Sequence, residues 1–236
     1  MLGIEFMGKH SYRDFGVTMA KGKEIGIPSK KKIKVAVPYS NVEYDFSEVY
    51  GSQAYEPRIL RYPFNIYRQT TGKSAMNSLK TQIINWLMNS GGKQPLYDDA
   101  YPGYYFLAEV ESGASFTEDY DTGVLTVEFT AYPFMIGELR EGHDIWDEFN
   151  FELDVAQITD FDVQGQLEVT LYNIGASGLS PTINASSSMT IVKDGVTYNV
   201  PAGQSKSTDF VLQTGENDLT INGNGSISFT FYKELI

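Results

Sequence analysis

The sequence predicts a mainly β protein of two domains, with one amphipathic helix in the first domain. Most apolar segments either alternate with a two-residue period or are rich in aromatic and β-branched residues, as β-strands are. One segment, 74–89, instead has the three- and four-residue apolar spacing of a helix. The charge also changes along the chain: residues 1–140 carry 15 Lys and Arg against 16 Asp and Glu, and residues 141–236 carry 3 against 14. This change predicts a nearly neutral domain, 1–140, and a strongly acidic one, 141–236.

Composition excludes several classes of protein. The chain has 236 residues, a net charge of -12 and no cysteine, so it has no disulfide framework, thiolate nucleophile or zinc-thiolate site. A cysteine-free chain fits synthesis in a reducing cytoplasm. No targeting segment is recognisable, and no run approaches the roughly 20 apolar residues of a membrane span. A domain as acidic as the second should repel nucleic acid.

The first domain is predicted to contain short strands within 3–16 and 32–38 and a longer strand over 59–67. The 74–89 helix then places one apolar face inward, with Ser74 as its N-cap and Gly91-Gly92 as its end. That face consists of Met76, Leu79, Ile83, Trp86 and Leu87. Strands follow over 104–111 and 124–132, and we expect Pro133 to close the second of them. No other helix is predicted.

The second domain is predicted to be an all-β sandwich. Leu167, Val169 and Leu171 alternate with polar neighbours, which is the period of a half-exposed strand. Asp194-Gly195 between 189–193 and 196–200 is a strong hairpin signal. A second hairpin is predicted around Gly223-Asn224-Gly225, joining 219–222 to 226–232 with Ile227, Phe229 and Phe231 on one face. A phosphate cradle at those glycines is disfavoured because no helix follows them.

Few residues point to catalysis or metal binding. The two histidines, His10 and His143, lie in different predicted domains, so we interpret them as exposed or loop residues without a catalytic role. Two nearby carboxylates can act as acid and base or bind calcium, but no pair here completes a ligand loop, and solvated loop edges are favoured. These pairs are Asp98 with Asp99, Asp119 with Asp121, and Asp160 with Asp162. We therefore predict no enzyme, no cofactor and no metal.

Two clusters are candidate contact sites. The basic run 30–34 contains Lys30, Lys31, Lys32 and Lys34, which can contact an acidic neighbouring subunit or nucleic acid or simply be solvated. The run lacks the interleaved aromatics of a nucleic-acid groove, so solvation is favoured and a subunit contact comes next. Tyr97 and Tyr101 belong to a tyrosine cluster with Tyr104 and Tyr105. A core or subunit interface is favoured there over a sugar-stacking platform.

The order of these segments resembles the distal tail protein (Dit) of bacteriophages with long, non-contractile tails. In the first domain the resemblance is carried by 6–16, 33–46, 58–66, the helix with Trp86-Leu87, 96–101, 104–110 and the strand ending Tyr132-Pro133-Phe134. In the second domain it is carried by 173–175, 181–183, 214–217 and 227–232, which are similar to the galectin-like sandwich of that family. The chain looks like the short form, without carbohydrate-binding insertions.

The resemblance implies a structural function in the virion, at the distal end of the tail. The first domain would be a ring-forming sandwich or split barrel that builds a homohexamer on the tail tube. The second would be a galectin-like arm that docks receptor-binding and other tail-tip proteins, while DNA passes only in transit and no membrane is bound. The main alternative is a glycan-binding tail adhesin module that contacts host saccharide. An acidic-cluster hydrolase is a remote third hypothesis.

Overall fold

The computed structural model describes residues 1–47, 49, 51–67, 72–119, 122–146 and 149–236. These residues form two compact units. The first contains Met1–Lys31, Tyr55–Ile136 and Ile236, and the second contains Lys32–Ala54 and Gly137–Leu235. The change of charge near residue 140 did not predict that residues 32–54 belong to the second unit. The domain boundary at residue 140 stays a prediction.

The protein is mainly β, as predicted. In chain order its first elements are β1 Ile4–Phe6, β2 Lys9–His10, α1 Ser11–Phe15, β3 Thr18–Met19, β4 Glu24–Ile25, β5 Lys34–Ala36, β6 Glu43–Asp45, β7 Arg58–Tyr67, α2 Gly72–Met88, β8 Gln94–Asp98, β9 Tyr104–Glu109, β10 Ser115–Asp119 and β11 Thr122–Gly137. They are followed by β12 Asp160–Asn173, β13 Thr182–Ala185, β14 Met189–Lys193, β15 Val196–Val200, β16 Gly203–Ser205, β17 Gly215–Thr230 and β18 Glu234–Leu235.

The first unit is one curled sheet covered by α2. Its strands run in the order β2-β1-β8-β9-β11-β7-β3, with β10 beside β11 and β4 beside β7. The predicted face of α2 is confirmed, because Met76, Leu79, Ile83, Trp86 and Leu87 are all buried in the core of this unit. The indole N–H of Trp86 also donates to the Phe6 carbonyl at 2.8 Å, which fixes the helix to β1.

Three local predictions for this unit are wrong. The helix α2 includes Gly72, so Ser74 lies inside its first turn and is not the N-cap. Pro133 does not end its strand, because β11 continues to Gly137. The pairing of β11 with β7 already ends at Ala131, so proline's lack of an N–H group costs no hydrogen bond to β7. The short helix α1 was not predicted, since five residues are too few for a periodic signal.

The second unit contains a six-stranded sheet that folds over its own core. Its strands run in the order β15-β14-β17-β13-β16, and β12 pairs with β17. The first half of β17 pairs with β14 and the second half with β13, so this strand is shared by two layers. The predicted Asp194-Gly195 hairpin is confirmed, and both residues have the positive φ of a type I′ turn, 51° and 77°.

The second predicted hairpin is wrong. Residues 215–230 form the single strand β17, which stays paired with β12 from Ser228 to Gly215 through the glycines. Gly223 and Gly225 have φ of 151° and 123°, and a Cβ on Gly223 would lie 2.7 Å from the Met189 side chain. These glycines therefore lie within a continuous strand, and the lack of a side chain at Gly223 lets Met189 pack closely against it. Ile227, Phe229 and Phe231, which were predicted to share one face, are all buried.

Candidate assembly surface

The most distinctive surface of the second unit is a two-stranded ribbon, residues 33–46, built from β5 and β6. Val35 pairs with Tyr44, and hydrogen bonds from Val37 N to Val42 O (3.1 Å) and from Phe46 N to Ile33 O (2.8 Å) extend the ladder. Side chains alternate between faces along each strand. One face of the ribbon therefore carries only apolar side chains, from Ile33, Val35, Val37, Val42, Tyr44 and Phe46.

That apolar face is open to solvent. Val35 is 52% exposed and Tyr44 is 57% exposed. The Tyr44 and Phe46 rings lie 6.3 Å apart, so they form one continuous patch with the aliphatic side chains. Two-stranded hairpins are marginal in water unless a further strand or another element packs on them. An open apolar face on such a ribbon therefore indicates a binding surface.

The opposite face of the ribbon is charged. Lys34 pairs with Glu43 at 2.8 Å, and Lys32 pairs with Asp45 at 3.0 Å. Hydrogen bonds from Ser47, together with that from Lys32, hold the pKa of Asp45 well below its ordinary value. These pairs link the two strands, and each contributes little to stability because it is exposed. The ribbon is amphipathic in cross-section and would lie flat on an apolar surface with its charges in water.

The predicted lysine cluster is divided by this arrangement. Lys32 and Lys34 lie on the charged face of the ribbon, whereas Lys30 is exposed and its backbone bridges to Tyr55. Lys31 is also exposed. The role of all four lysines in subunit contact stays a prediction.

The predicted tyrosine pair lies in the first unit. Tyr97 is 36% exposed and packs against Tyr105, with ring centroids 5.7 Å apart. Tyr101 is partly buried, meets the Phe106 ring edge to face at 6.0 Å, and has the Lys23 ammonium 5.6 Å from its ring centroid. Part of each ring thus packs inside the fold. A contact with another subunit stays a prediction for both.

A second apolar surface lies on the described residues 144–146 and 149–153, which precede β12. Trp146 is 63% exposed and Phe151 is 83% exposed. The ring of Phe149 lies between them, 5.3 Å from Trp146 and 5.2 Å from Phe151. Asp144 and Glu152 are exposed beside these rings. We call this stretch the acidic aromatic segment.

A hydrogen-bonded turn holds one end of the acidic aromatic segment. Asn150 N donates to the Asp154 carboxylate at 2.9 Å, and Asp154 N donates back to the Asn150 carbonyl at 2.8 Å. Asp154 also pairs with Lys233, and both side chains are more than nine-tenths buried. The turn from Asn150 to Asp154 is therefore anchored to the rest of the second unit.

His10 is a structural residue, not the exposed or loop histidine that we expected. It is 4% exposed, and its Nδ1 caps α1 by accepting from the backbone N–H groups of Tyr12 and Arg13, both at 3.1 Å. Because Nδ1 accepts, Nε2 carries the proton and donates to Asp99 at 3.0 Å. Burial raises the pKa of Asp99, but bonds from His10 and Gly3 outweigh it and leave that pKa lowered.

Asp98 is likewise structural, so the expectation of a solvated loop edge is wrong for it, whereas Asp99 is exposed in the turn that follows β8, as expected. Asp98 is 3% exposed and accepts hydrogen bonds from Lys23 at 2.7 Å and from the Tyr62 hydroxyl at 2.9 Å. Burial and the charge of Asp98 raise the pKa of Tyr62. Each carboxylate thus has fixed partners inside the fold.

Of the other two acidic pairs, the structure describes only Asp160 with Asp162 in full. Asp121 lies outside the described residues, so its pairing with Asp119 is not described. Asp160 and Asp162 are exposed, and Asp160 pairs with Arg140 at 3.0 Å. They line an open groove of about 330 Å³ on the second unit, together with Phe161, Asn184, Ser186, Ser226, Ile227 and Ser228. Its polar groups can donate to or accept from hydroxyl groups.

Among the residues that the structure describes, no three His, Asp or Glu side chains converge as metal ligands would. The described helices also include none that is long and apolar enough to cross a membrane.

The fold is similar to the crystal structure of the Dit (gp 19.1) protein of phage SPP1, described as a paradigm of the hub adsorption apparatus in phages that infect Gram-positive bacteria. The TM-score is 0.63 at 11% sequence identity, and the match covers 98% of this chain and 99% of that chain. This chain has the Dit fold. Neither a protein-family model nor a curated protein matches the sequence.

The Dit fold extends through both units of this chain, because the match leaves almost no residue of either chain uncovered. The predicted resemblance is thus confirmed at the level of the fold. Sequence reasoning missed the ribbon and the acidic aromatic segment as surfaces. The signal for the ribbon was available, since Ile33, Val35 and Val37 alternate in the same way as Val42, Tyr44 and Phe46.

Proposed function

We propose that this protein is a structural component of a phage tail tip, a homohexameric hub ring that joins the tail tube to tail-tip and receptor-binding proteins. The observation that carries the proposal is the agreement in fold with a hub protein over 98% of this chain and 99% of that one. Two exposed apolar surfaces support it, since a monomeric protein seldom exposes large contiguous apolar patches.

In this proposal the first domain, 1–140, builds the ring and the second, 141–236, is a galectin-like arm that docks partner proteins. The protein lies at the distal end of the tail in the virion. DNA crosses the ring through a central channel and is not retained. The ring-forming domain carries 15 Lys and Arg against 16 Asp and Glu, so it has no positive excess that would retain the phosphate backbone, and the acidic second domain repels it.

A structural function also agrees with how the titratable groups are used. His10, Asp98 and Asp99 are bonded to helix ends, backbone and buried side chains of the first unit. A general base must reach a proton of the substrate, whereas these side chains form hydrogen bonds with other groups of the first unit. We therefore propose no enzymatic activity for this chain.

The groove lined by Asp160 and Asp162 favours the second candidate, a glycan-binding adhesin module. Convergent carboxylate, amide and hydroxyl groups in a concave site are suited to sugar hydroxyls. However, the ring of Phe161 packs edge to face on Phe229 at 6.2 Å, so it is engaged with the core. We expect no saccharide to bind the protein more tightly than the millimolar range, about 4 kcal/mol.

Negative-stain electron microscopy of the purified full chain tests the hub proposal. We expect class averages with six-fold symmetry and a central opening. Particles of a single copy, even after mixing with tube and tail-tip proteins of the same phage, would contradict it. A glycan array or calorimetric titration that finds a micromolar saccharide ligand would favour the adhesin instead. An Asp162→Ala variant shows whether such a ligand uses the groove.

A further inference from the structure

We infer that the guanidinium of Arg58, in the first unit, is a binding site for a carboxylate group. The carboxylate can come from two sources, a neighbouring copy of this chain or a free carboxylate ion. The first source rests on the proposed hexamer, and the second does not. The inference is carried by a buried cation for which the described part of the chain provides no anion.

Arg58 lies inside the first unit although it is charged. It begins β7, on the side of that strand that also carries the buried Leu60 and Tyr62, and the residue is 3% exposed. Its partner in the neighbouring strand β11 is Ala131, where the pairing of β7 with β11 ends. The side chain therefore lies at one end of the core and not in its middle.

The Arg58 guanidinium has no anionic partner among the residues that the structure describes. It forms no ion pair or side-chain hydrogen bond with them, and its Nε–H is fully enclosed without an acceptor. Burial lowers the pKa of Arg58, and the group that opposes this change, Tyr101, is uncharged at neutral pH. Arginine nevertheless stays protonated in proteins, so a positive charge remains without compensation. Such a charge is costly to bury unless an anion joins it.

Aromatic side chains surround this charge. The guanidinium carbon lies 5.4 Å from the centroid of the Phe106 ring, and that ring meets Tyr101 edge to face at 6.0 Å. A ring face attracts a cation, but it does not supply the oxygen acceptors that the guanidinium N–H groups need. The Tyr101 hydroxyl also forms no hydrogen bond with the described residues. The site therefore offers hydrogen-bond donors and no anion.

The neighbouring cation, Lys23, differs from Arg58 because it already has its anion. The Lys23 ammonium lies 5.6 Å from the Tyr101 ring centroid and donates to Asp98 at 2.7 Å. Asp98 thus balances Lys23, and the single charge of Arg58 is left. A carboxylate carries one negative charge and accepts two parallel hydrogen bonds from a guanidinium. A phosphate dianion would exceed the charge to be balanced, so a carboxylate is favoured.

A ligand can reach Arg58 through the two terminal nitrogens of its guanidinium. Unlike Nε, these nitrogens are not fully enclosed, and they form no hydrogen bond with the described residues. The opening is narrow, so it suits a small ion or the end of one side chain. The chain has 30 Asp and Glu against 18 Lys and Arg, so a second copy presents many carboxylates.

Acetate is the probe for a free carboxylate ion. The chain has two tryptophans, so a Trp146→Phe background leaves Trp86 to report the unfolding of the first unit. At low protein concentration, replacing chloride with acetate at constant ionic strength should raise the melting temperature of this unit by about 2 °C or more. Arg58→Met should abolish the rise. The matched control is Arg13→Met, an exposed arginine paired with Glu5, which should retain it.

A rise that persists in Arg58→Met, or an equal rise with phosphate in place of acetate, would overturn the inference. Circular dichroism shows whether Arg58→Met is folded. Arg58→Lys is the second variant, because it keeps the charge but cannot form two parallel hydrogen bonds with a carboxylate. It should reduce the affinity for acetate by about tenfold or more.

Light scattering of the full chain distinguishes the two sources of the carboxylate. If a neighbouring copy supplies it, Arg58→Met should weaken the hexamer by about tenfold or more, acetate should compete with assembly, and Arg13→Met should have neither effect. An unchanged hexamer together with the acetate effect on the dilute protein identifies the free ion. An unchanged hexamer without any acetate effect would overturn the inference and leave the hub proposal standing. A protein that stays a single copy and binds acetate through Arg58 would do the reverse.

Discussion

Val35 and Tyr44 face each other across the β5–β6 ribbon, and both side chains remain more than half exposed. Cross-strand apolar pairs normally stabilise a sheet because the rest of the protein covers them. Here the pair is the centre of an apolar face that the described residues of one copy leave open. We therefore expect this pair to contribute to the free energy of assembly and little to the free energy of folding.

The first prediction follows from this exposure. Val35→Ser/Tyr44→Ser should change the free energy of unfolding of the isolated copy by less than about 0.5 kcal/mol, as for other exposed positions. Ile191→Ala, a fully buried change in the same unit, should cost about 2–5 kcal/mol. Urea unfolding at low protein concentration measures both. A large loss from the ribbon variant would show that this face already supports the fold.

The second prediction concerns His10, which caps α1 and donates to Asp99. His10→Ala should destabilise the first unit by about 2 kcal/mol, because it removes a cap and a partner of a partly buried carboxylate. The two tryptophans lie in different units, so a Trp146→Phe background leaves Trp86 as the fluorescent reporter of the first unit. His143→Ala is the control and should cost less than about 0.5 kcal/mol.

The third prediction concerns Glu141, a residue that is only 5% exposed. Burial raises its pKa above the ordinary value of 4.5, although the bond from Gln157 and the charge of Lys233 oppose the change. The folded state therefore holds the proton more tightly than the unfolded state. The stability that this proton provides is complete below pH 4.5 and is lost as the pH rises through the folded pKa.

Glu141→Gln tests this sign, because an amide still accepts from Gln157 but does not ionise. We expect the variant to be more stable than the natural protein at pH 7 and equally stable near pH 4. Unfolding curves across this pH range measure the difference. The exposed Glu168→Gln is the control, with an effect within about 0.5 kcal/mol. A variant less stable at pH 7 would mean that the attraction to Lys233 exceeds the burial cost.

The fourth prediction concerns the continuous strand β17. Gly223→Ala should cost about 1–3 kcal/mol, since φ is 151° and the added Cβ would press on Met189. Gly113→Ala is the control, because its φ is not positive and an added Cβ would meet no atom within 4 Å. Thermal unfolding compares the two. An equal, small effect would mean that the strand accepts a side chain at Gly223 without strain.

Local chemistry in the sequence predicted the parts of the fold that depend on neighbouring residues. The apolar spacing of Met76, Leu79 and Ile83 determines which face of α2 is buried, and Asp194-Gly195 determines the turn between β14 and β15. The glycines around Asn224 misled the prediction because a Gly-Asn-Gly run favours a turn. Residues 215–230 instead form one strand because they pair along their length with β12, which is distant in the sequence.

The candidate surfaces were harder to predict than the fold. The lysines of 30–34 are conspicuous in the sequence, but only the register of β5 and β6 shows that Lys32 and Lys34 share one face and Val35 lies on the other. Similarly, His10 and Asp99 are 89 residues apart and meet through β1 and β8. Such contacts depend on tertiary pairing, which residue types alone do not determine.

The solution mass of the full chain tests the central claim most directly. One copy has a mass of 26.4 kDa, and light scattering coupled to size exclusion separates one copy from six without reference to shape. We expect six times the mass of one copy at high protein concentration, with dissociation on dilution. A mass of 26.4 kDa at every concentration, also in the presence of tube and tail-tip partners, would contradict the hub ring.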